Sequence, residues 1–367
     1  MHYRELSTPA LTIDLEVLER NLDRMAAYCR EHEIGLRPHT KTHKTLEVSQ
    51  MQLARGAVGL CVAKVGEAEV MAGALANESA EILIAYPVYG RENLRRLAIL
   101  AHARRLLVSL DDEATAQELS RAACEQQATV GVLVEFDVGV RRCGLEPGPA
   151  CVRLAKQIEG LPGLKFRGLM TFFGNVSGTE EERRKEAKQV AERVESALRA
   201  FREERMPVEV VSGGGTPSAS MTHEIPGVTE IRPGTYVYND LNTFYQGVCE
   251  LEDCAARVVT TVVSTAVAGR AIIDAGSKTL SSDLLNFGPK AGYGLVFEAP
   301  EAKLFKLNEE HGYLDVTNSS HRFHVGEVLT VIPNHVCTCV NMHDEVFLLR
   351  NQQMAGCWRV AARGKIR

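Results

Sequence analysis

A chain of 367 residues that is 45% apolar and 24% charged has the composition of a globular protein with more than one core. Its formal net charge of −5, with no basic block, excludes a nucleic-acid binder. No apolar run nears the roughly 18 residues of a membrane span.

The first ten residues carry no signal-peptide core. The ten cysteines follow no short framework, so they read as thiols of a reducing cytoplasm. After Thr8-Pro9 comes a strand-like Ala10-Leu-Thr-Ile13, then a helix with Leu15, Leu18, Leu22, Met25 and Ala26 on one face. Short apolar runs follow at 34–36, 58–62, 81–85, 106–110, 130–136, 166–172, 208–211 and 229–237, separated by helical patterns. Thr179 with Glu182 three residues on predicts a capping box. Eight alternating units predict right-handed crossovers, a parallel sheet and an α/β fold of (β/α)8 TIM-barrel type over residues 10–246. Beyond that the texture turns strand-rich, at 258–267, 270–274, 325–332 and 345–349. Residues 247–367, joined by 1–9, therefore read as a separate β domain.

Barrel enzymes build their sites at the C-terminal strand ends. The first strand closes on Arg37-Pro-His-Thr-Lys-Thr-His-Lys44. A lysine at a strand end, walled by apolar neighbours, loses its proton more easily and can attack an aldehyde. A basic loop solvating a helix start is the plainer reading of this stretch alone. Strand 5 ends in Glu135-Phe-Asp-Val-Gly-Val-Arg-Arg-Cys-Gly144, which is either a surface ion-pair cluster or an arginine fork for a carboxylate or a cofactor oxygen. Strands 7 and 8 run into Ser212-Gly-Gly-Gly-Thr-Pro-Ser218 and Arg232-Pro-Gly-Thr-Tyr236. Glycines let backbone N–H groups converge on a phosphate, with Ser212, Thr216 or Thr235 adding hydroxyls. In the β domain, Pro333-Asn-His-Val-Cys337 puts His335 and Cys337 on one side of an extended segment. That pair can share a divalent metal, zinc by softness, with Cys339 and His343 as lesser candidates.

Together these five motifs resemble the D-threonine aldolase and D-serine dehydratase family, fold-type III pyridoxal-phosphate enzymes related to the alanine racemase barrel. The resemblance spans nearly the whole chain. It implies that Lys41 forms the Schiff base with the cofactor, beside His39, and that Lys44 falls into the following helix. It also implies a phosphate cup of Ser212, Gly213, Gly214, Gly215, Thr216, Gly234 and Thr235. Arg232 then faces the pyridine nitrogen and Arg142 lies near the phenolic oxygen. His335 and Cys337 hold zinc or manganese.

One stretch departs from the family. Phe172, Phe173 and Asn175 stand where many of its aldolases have a tyrosine and a histidine, which leaves His43 or a metal-bound hydroxide as the second base. The resemblance thus implies a lyase on D-configured 3-hydroxy amino acids. Aldolase cleavage leads and dehydration to a keto acid is the alternative. A racemase and a non-catalytic cofactor carrier rank below both. It further implies a homodimer with shared sites.

Overall fold

The structure, a computed structural model, describes residues 1–75, 80–285 and 292–367. The chain folds as two compact units, one made of Met25–Lys41, Leu46–Gly234 and Gly364–Arg367, the other of Met1–Arg24, Thr42–Thr45 and Thr235–Arg363.

The first unit is the expected parallel barrel. Its strands are β1 (Gly35–Leu36), β2 (Gly59–Val62), β3 (Glu81–Ile84), β4 (Leu106–Leu110), β5 (Val130–Glu135), β6 (Leu164–Met170), β7 (Val210–Gly213) and β8 (Glu230–Ile231). They lie in the order β1-β8-β7-β6-β5-β4-β3-β2, every pair parallel. β2 to β5 are buried at every position, as strands sandwiched between helices and a filled interior must be. The helix Glu180–Glu203 opens on the predicted box, Thr179 N–H donating to Glu182 Oε2 at 2.8 Å and Glu182 N–H to Thr179 Oγ1 at 3.3 Å.

Regular pairing leaves β1 and β2 apart, and the motif at 37–40 closes the gap. On one side Val58 N–H donates to Leu36 O, Cys61 N–H to Pro38 O and Thr40 N–H to Cys61 O, at 2.8–2.9 Å. On the other, Arg37 N–H reaches Ile231 O and His39 N–H reaches Pro233 O. Pro38 has no N–H to offer, which breaks the ladder into bridges but does not open the seam.

The interior packs Cys61, Leu83, Leu107, Leu133 and Met170 together. Each leucine buried there contributes about 1.5–3 kcal/mol relative to exposure. Below that layer lies a charged floor. Arg37, 3% exposed, donates Nε to both Glu230 oxygens at 2.8 and 2.9 Å and Nη1 to Glu81 O at 3.1 Å. Glu81 also takes Arg105 at 2.8 Å and Arg167 at 3.0 Å. A Cβ at Gly59 would stand 2.2 Å from Glu81 O and 2.5 Å from Arg37 Nη1, so only glycine lets this network pass.

The second unit holds a nine-stranded sheet. Its first strand, Ala10–Asp14, runs antiparallel to Ala256–Ser264 and parallel to Glu345–Arg350. The units therefore divide at 24/25 and 234/235, where the sequence texture suggested 9/10 and 246/247. A lone strand's pattern does not say which sheet it joins. All ten cysteines are free. No helix among the described residues is long and apolar enough to cross a membrane.

Candidate active site

At the mouth of the barrel, the seam ends at Thr40 and residues 41–43 make a turn. Lys41 heads that turn and is exposed, its N–H donating to His39 Nδ1 at 3.3 Å. Lys44 is not helical either. It takes φ +55° ahead of the helix Leu46–Ala54. Its Nζ donates to Asn341 Oδ1 at 2.8 Å. His43 is fully buried, its Nδ1 accepting from Thr45 N–H at 3.1 Å, which makes it a lock on the turn.

Across the mouth, Gly213 and Gly214 are required by their surroundings. A Cβ on Gly213 would meet the Phe173 ring at 2.6 Å, and Gly214 takes φ +74°. At Gly215 a Cβ would meet nothing within 4 Å, so open space fronts the backbone. The 3-10 helix Thr216–Glu224 starts there; Pro217 has no N–H, Ser218 N–H donates to Gly215 O at 3.2 Å and Gly215 N–H to Ser218 Oγ at 3.0 Å. The open space in front of Gly215 leaves room for a phosphate against the backbone.

Ser212 has a different occupation from the one expected. Its hydroxyl donates to Glu230 Oε1 and accepts from Arg232 Nη1, both at 2.6 Å. Arg232, 6% exposed, also donates Nη2 to Thr171 O at 2.6 Å. Burial pulls its pKa below the usual guanidinium value, opposed by Cys61, Glu230 and Glu135. Arg142 lies over the Phe172 ring, 4.4 Å from its centre. Asp137 pairs with neither arginine side chain by ion pair; it accepts from the Gly139 and Arg141 N–H groups and shapes the loop. Asn175 ties its loop to a helix and to a second loop, its amide donating to Glu186 Oε2 at 3.2 Å and Val138 O at 3.5 Å.

In the second unit His335 is not on an extended run with Cys337. It caps the short helix Val336–Val340, and Cys337 sits in the first turn. The turn forms because Asp240 Oδ2 accepts from Val336 N–H at 3.0 Å and meets His335 Nδ1 at 3.1 Å. Asp240 Oδ1 simultaneously accepts from Thr243 N–H at 2.9 Å. A carboxylate on Nδ1 fixes the ring and turns Nε2 outward, the usual support for a metal-binding histidine. Burial disfavours the imidazolium, but the hydrogen bonds to Asp240 and Cys337 prevail and raise His335 to about 11. Cys337 Sγ lies 3.1 Å from Thr42 Oγ1 and 3.9 Å from Thr235 Oγ1. Among the described residues no group of three His, Cys, Asp or Glu side chains gathers around a metal position. A divalent ion on this pair fits by donor chemistry and would complete its shell with water or substrate.

Sequence reasoning missed Asp240, Glu135 and the Arg37 floor. Asp240 carried only the ordinary signal of a helix cap, Asp240 with Thr243 three residues on.

The alanine racemase N-terminal domain family matches residues 13–242 and the serine dehydratase domain family residues 255–349. The chain is 33% identical to a D-threonine aldolase from Arthrobacter sp, over 98% of this chain and 93% of that protein. The solved D-threonine aldolase from Filomicrobium marinum superposes with a TM-score of 0.91 at 33% identity, covering 100% of this chain and 98% of that one. The D-threo-3-hydroxyaspartate dehydratase from Delftia sp. HT23 does so at 0.89 and 30%, covering 98% of each. That dehydratase has also been solved with a histidine, and with a cysteine two positions later, replaced by alanine, and the cysteine variant is described as metal-free.

Proposed function

Because the chain belongs to the alanine racemase-like family that includes D-threonine aldolase and D-threo-3-hydroxyaspartate dehydratase, we propose that it is a lyase acting on D-configured 3-hydroxy amino acids. It uses pyridoxal phosphate and a divalent metal, and its leading reaction is retro-aldol cleavage to glycine and an aldehyde. The observation that carries the reading is His335, whose Nδ1 is fixed by the buried Asp240 two residues from a cysteine. A racemase has no use for that arrangement.

Lys41 Nζ would hold the cofactor's aldehyde. The backbone of Gly213 to Gly215, with Thr216, Gly234 and Thr235, would take its phosphate. Arg232 would face the ring nitrogen, Arg142 the phenolic oxygen, and His39 would steady the turn that carries Lys41. When bound, the cofactor supplies a conjugated ring that accepts the electrons of a bond breaking at Cα. His335 Nε2 and Cys337 Sγ would hold the ion, which supplies Lewis acidity to the 3-hydroxyl. The thiolate favours zinc, with manganese the alternative.

The chain's own groups then divide the two outcomes. Arg232 is a permanent donor, so it holds the ring nitrogen as an acceptor and limits the ring's pull on electrons. Cleavage of Cα–Cβ needs the 3-hydroxyl proton removed. Dehydration needs the Cα proton removed, for which Lys41 Nζ is the candidate base. Asn175, committed to Glu186 and Val138, is no base at neutral pH. With Cys337 as the second metal residue, this supports dehydration to a 2-keto acid and ammonia as the second reading.

Incubation with D-threonine, 3-hydroxy-D-aspartate, D-serine and D-alanine, with and without chelator, tests the proposal. Chelator-sensitive aldehyde and glycine are expected, and keto acid with ammonia would favour the second reading. Racemised alanine unaffected by chelator would overturn both. A homodimer is part of the proposal, read by light scattering.

A further inference from the structure

Glu135 closes β5 and is assigned nothing by the chemistry above. Leu133 faces the barrel interior, so Glu135, two residues on, is the next inward position. It is 3% exposed, and its Oε2 has no hydrogen-bond partner. The fully buried Thr171 Oγ1 shares that condition. Strand register puts Glu135 level with Met170 and Met170 level with Ser212, the residue that holds Arg232.

Arg232 hydrogen-bonds two neutral oxygens inside the barrel, Ser212 Oγ and Thr171 O. A guanidinium sealed from water needs an anion. Glu230 is the nearest by chain, but it is already doubly bonded to Arg37 and receives the Ser212 hydroxyl. Glu135 is the carboxylate left over. We propose that Glu135 is a positioning residue of the cofactor site, the counter-charge that balances Arg232 and Arg142 and sets the field at the ring edge those arginines face. The charged groups whose fields reach it are Arg232 and Arg142, which favour its ionised form, and Asp111, which opposes it, while Glu135 itself pushes the Cys143 thiol up. Burial is the largest influence and leaves its carboxyl raised, with Arg232, Arg142 and a hydrogen bond from Ser109 working against that push. The inference rests on the reading that pyridoxal phosphate binds in this barrel.

The test uses reconstituted holoprotein, wild type, E135Q and E135D, each checked by thermal melting. The readout is the pH midpoint of the bound cofactor's absorbance change between about 330 and 430 nm, a range set by the conjugated chromophore. Losing an anion near a protonated chromophore makes its proton easier to lose. E135Q should therefore lower the midpoint by about one pH unit, the order of one unscreened charge acting through an interior of effective dielectric near 20. E135D keeps the charge and should keep the wild-type midpoint. Equal shifts in both variants, or a shift in neither, overturn the inference and leave the enzyme assignment standing. Should E135Q fail to fold, E135A takes its place, and a midpoint unmoved in E135A or moved equally in E135D overturns the inference. A wild-type protein that takes up no cofactor sinks the inference and the assignment together.

Discussion

Asp240→Asn separates a metal-supporting carboxylate from an ordinary helix cap. The side chain is fully buried and uses both oxygens, Oδ2 toward Val336 N–H and His335 Nδ1, Oδ1 toward Thr243 N–H. Asparagine has the same shape but one acceptor oxygen, so its NH2 must point at a backbone donor on one side or the other. Leaving one buried N–H unsatisfied costs about 1–3 kcal/mol, and a lost cap lies in the same range at about 1 kcal/mol. The domain should still fold. If the oxygen stays with Thr243, His335 loses the acceptor that orients its ring, and removal of such outer partners weakens metal binding about 10–100-fold. Metal retained after dialysis against buffered free zinc, read by elemental analysis, gives the affinity. Thermal melting gives the stability, and excess metal should restore activity. A variant that melts lower but keeps wild-type metal affinity would refute the role assigned to Asp240 and reduce it to a cap.

Lys41→Ala should stay colourless after reconstitution, whereas borohydride reduction of the wild type should leave the cofactor on the peptide containing Lys41. A label on Lys44 instead would refute the assignment. Asn175→Ala removes a loop brace, costing about 1 kcal/mol of stability, with turnover within a few-fold of wild type. A collapse of turnover without loss of stability would make Asn175 a participant. Burial works against the ionised Glu81 carboxylate, but Arg167, Arg37 and Arg105 outweigh it and hold its pKa below the glutamate norm. That stability is present above the unfolded-state value of about 4.3 and lost as pH falls through the lower folded value. Denaturant melts from about pH 7 to about pH 3 should show a shallower acid loss in Glu81→Gln than in wild type, and identical slopes would remove the floor network from the acid response.

The barrel strands were legible because their signal is local: short apolar runs bounded by helices, with β2 to β5 buried at every position. β1 and β8 keep only two residues each as regular strand, because Pro38 and Pro233 interrupt the ladder just beyond them. The glycine cradle and the His-x-Cys pair could be read as motifs, since their residue types are rare at that spacing. What the sequence could not give was occupation. Ser212 looks like a phosphate hydroxyl until Glu230 and Arg232 claim it, and both lie about twenty residues away in the chain. The same holds for Asp240 and His335, 95 positions apart. Arg37 belongs to the most recognisable motif in the chain, yet its side chain turns back to the barrel floor while Lys41 goes to the mouth. An extended chain advances about 3.3 Å per residue, so Arg37 just after the strand and Lys41 in the turn beyond it reach different levels, and a contiguous motif can serve two depths of a barrel at once. A basic octapeptide therefore marks where the site is without saying which of its charges work there.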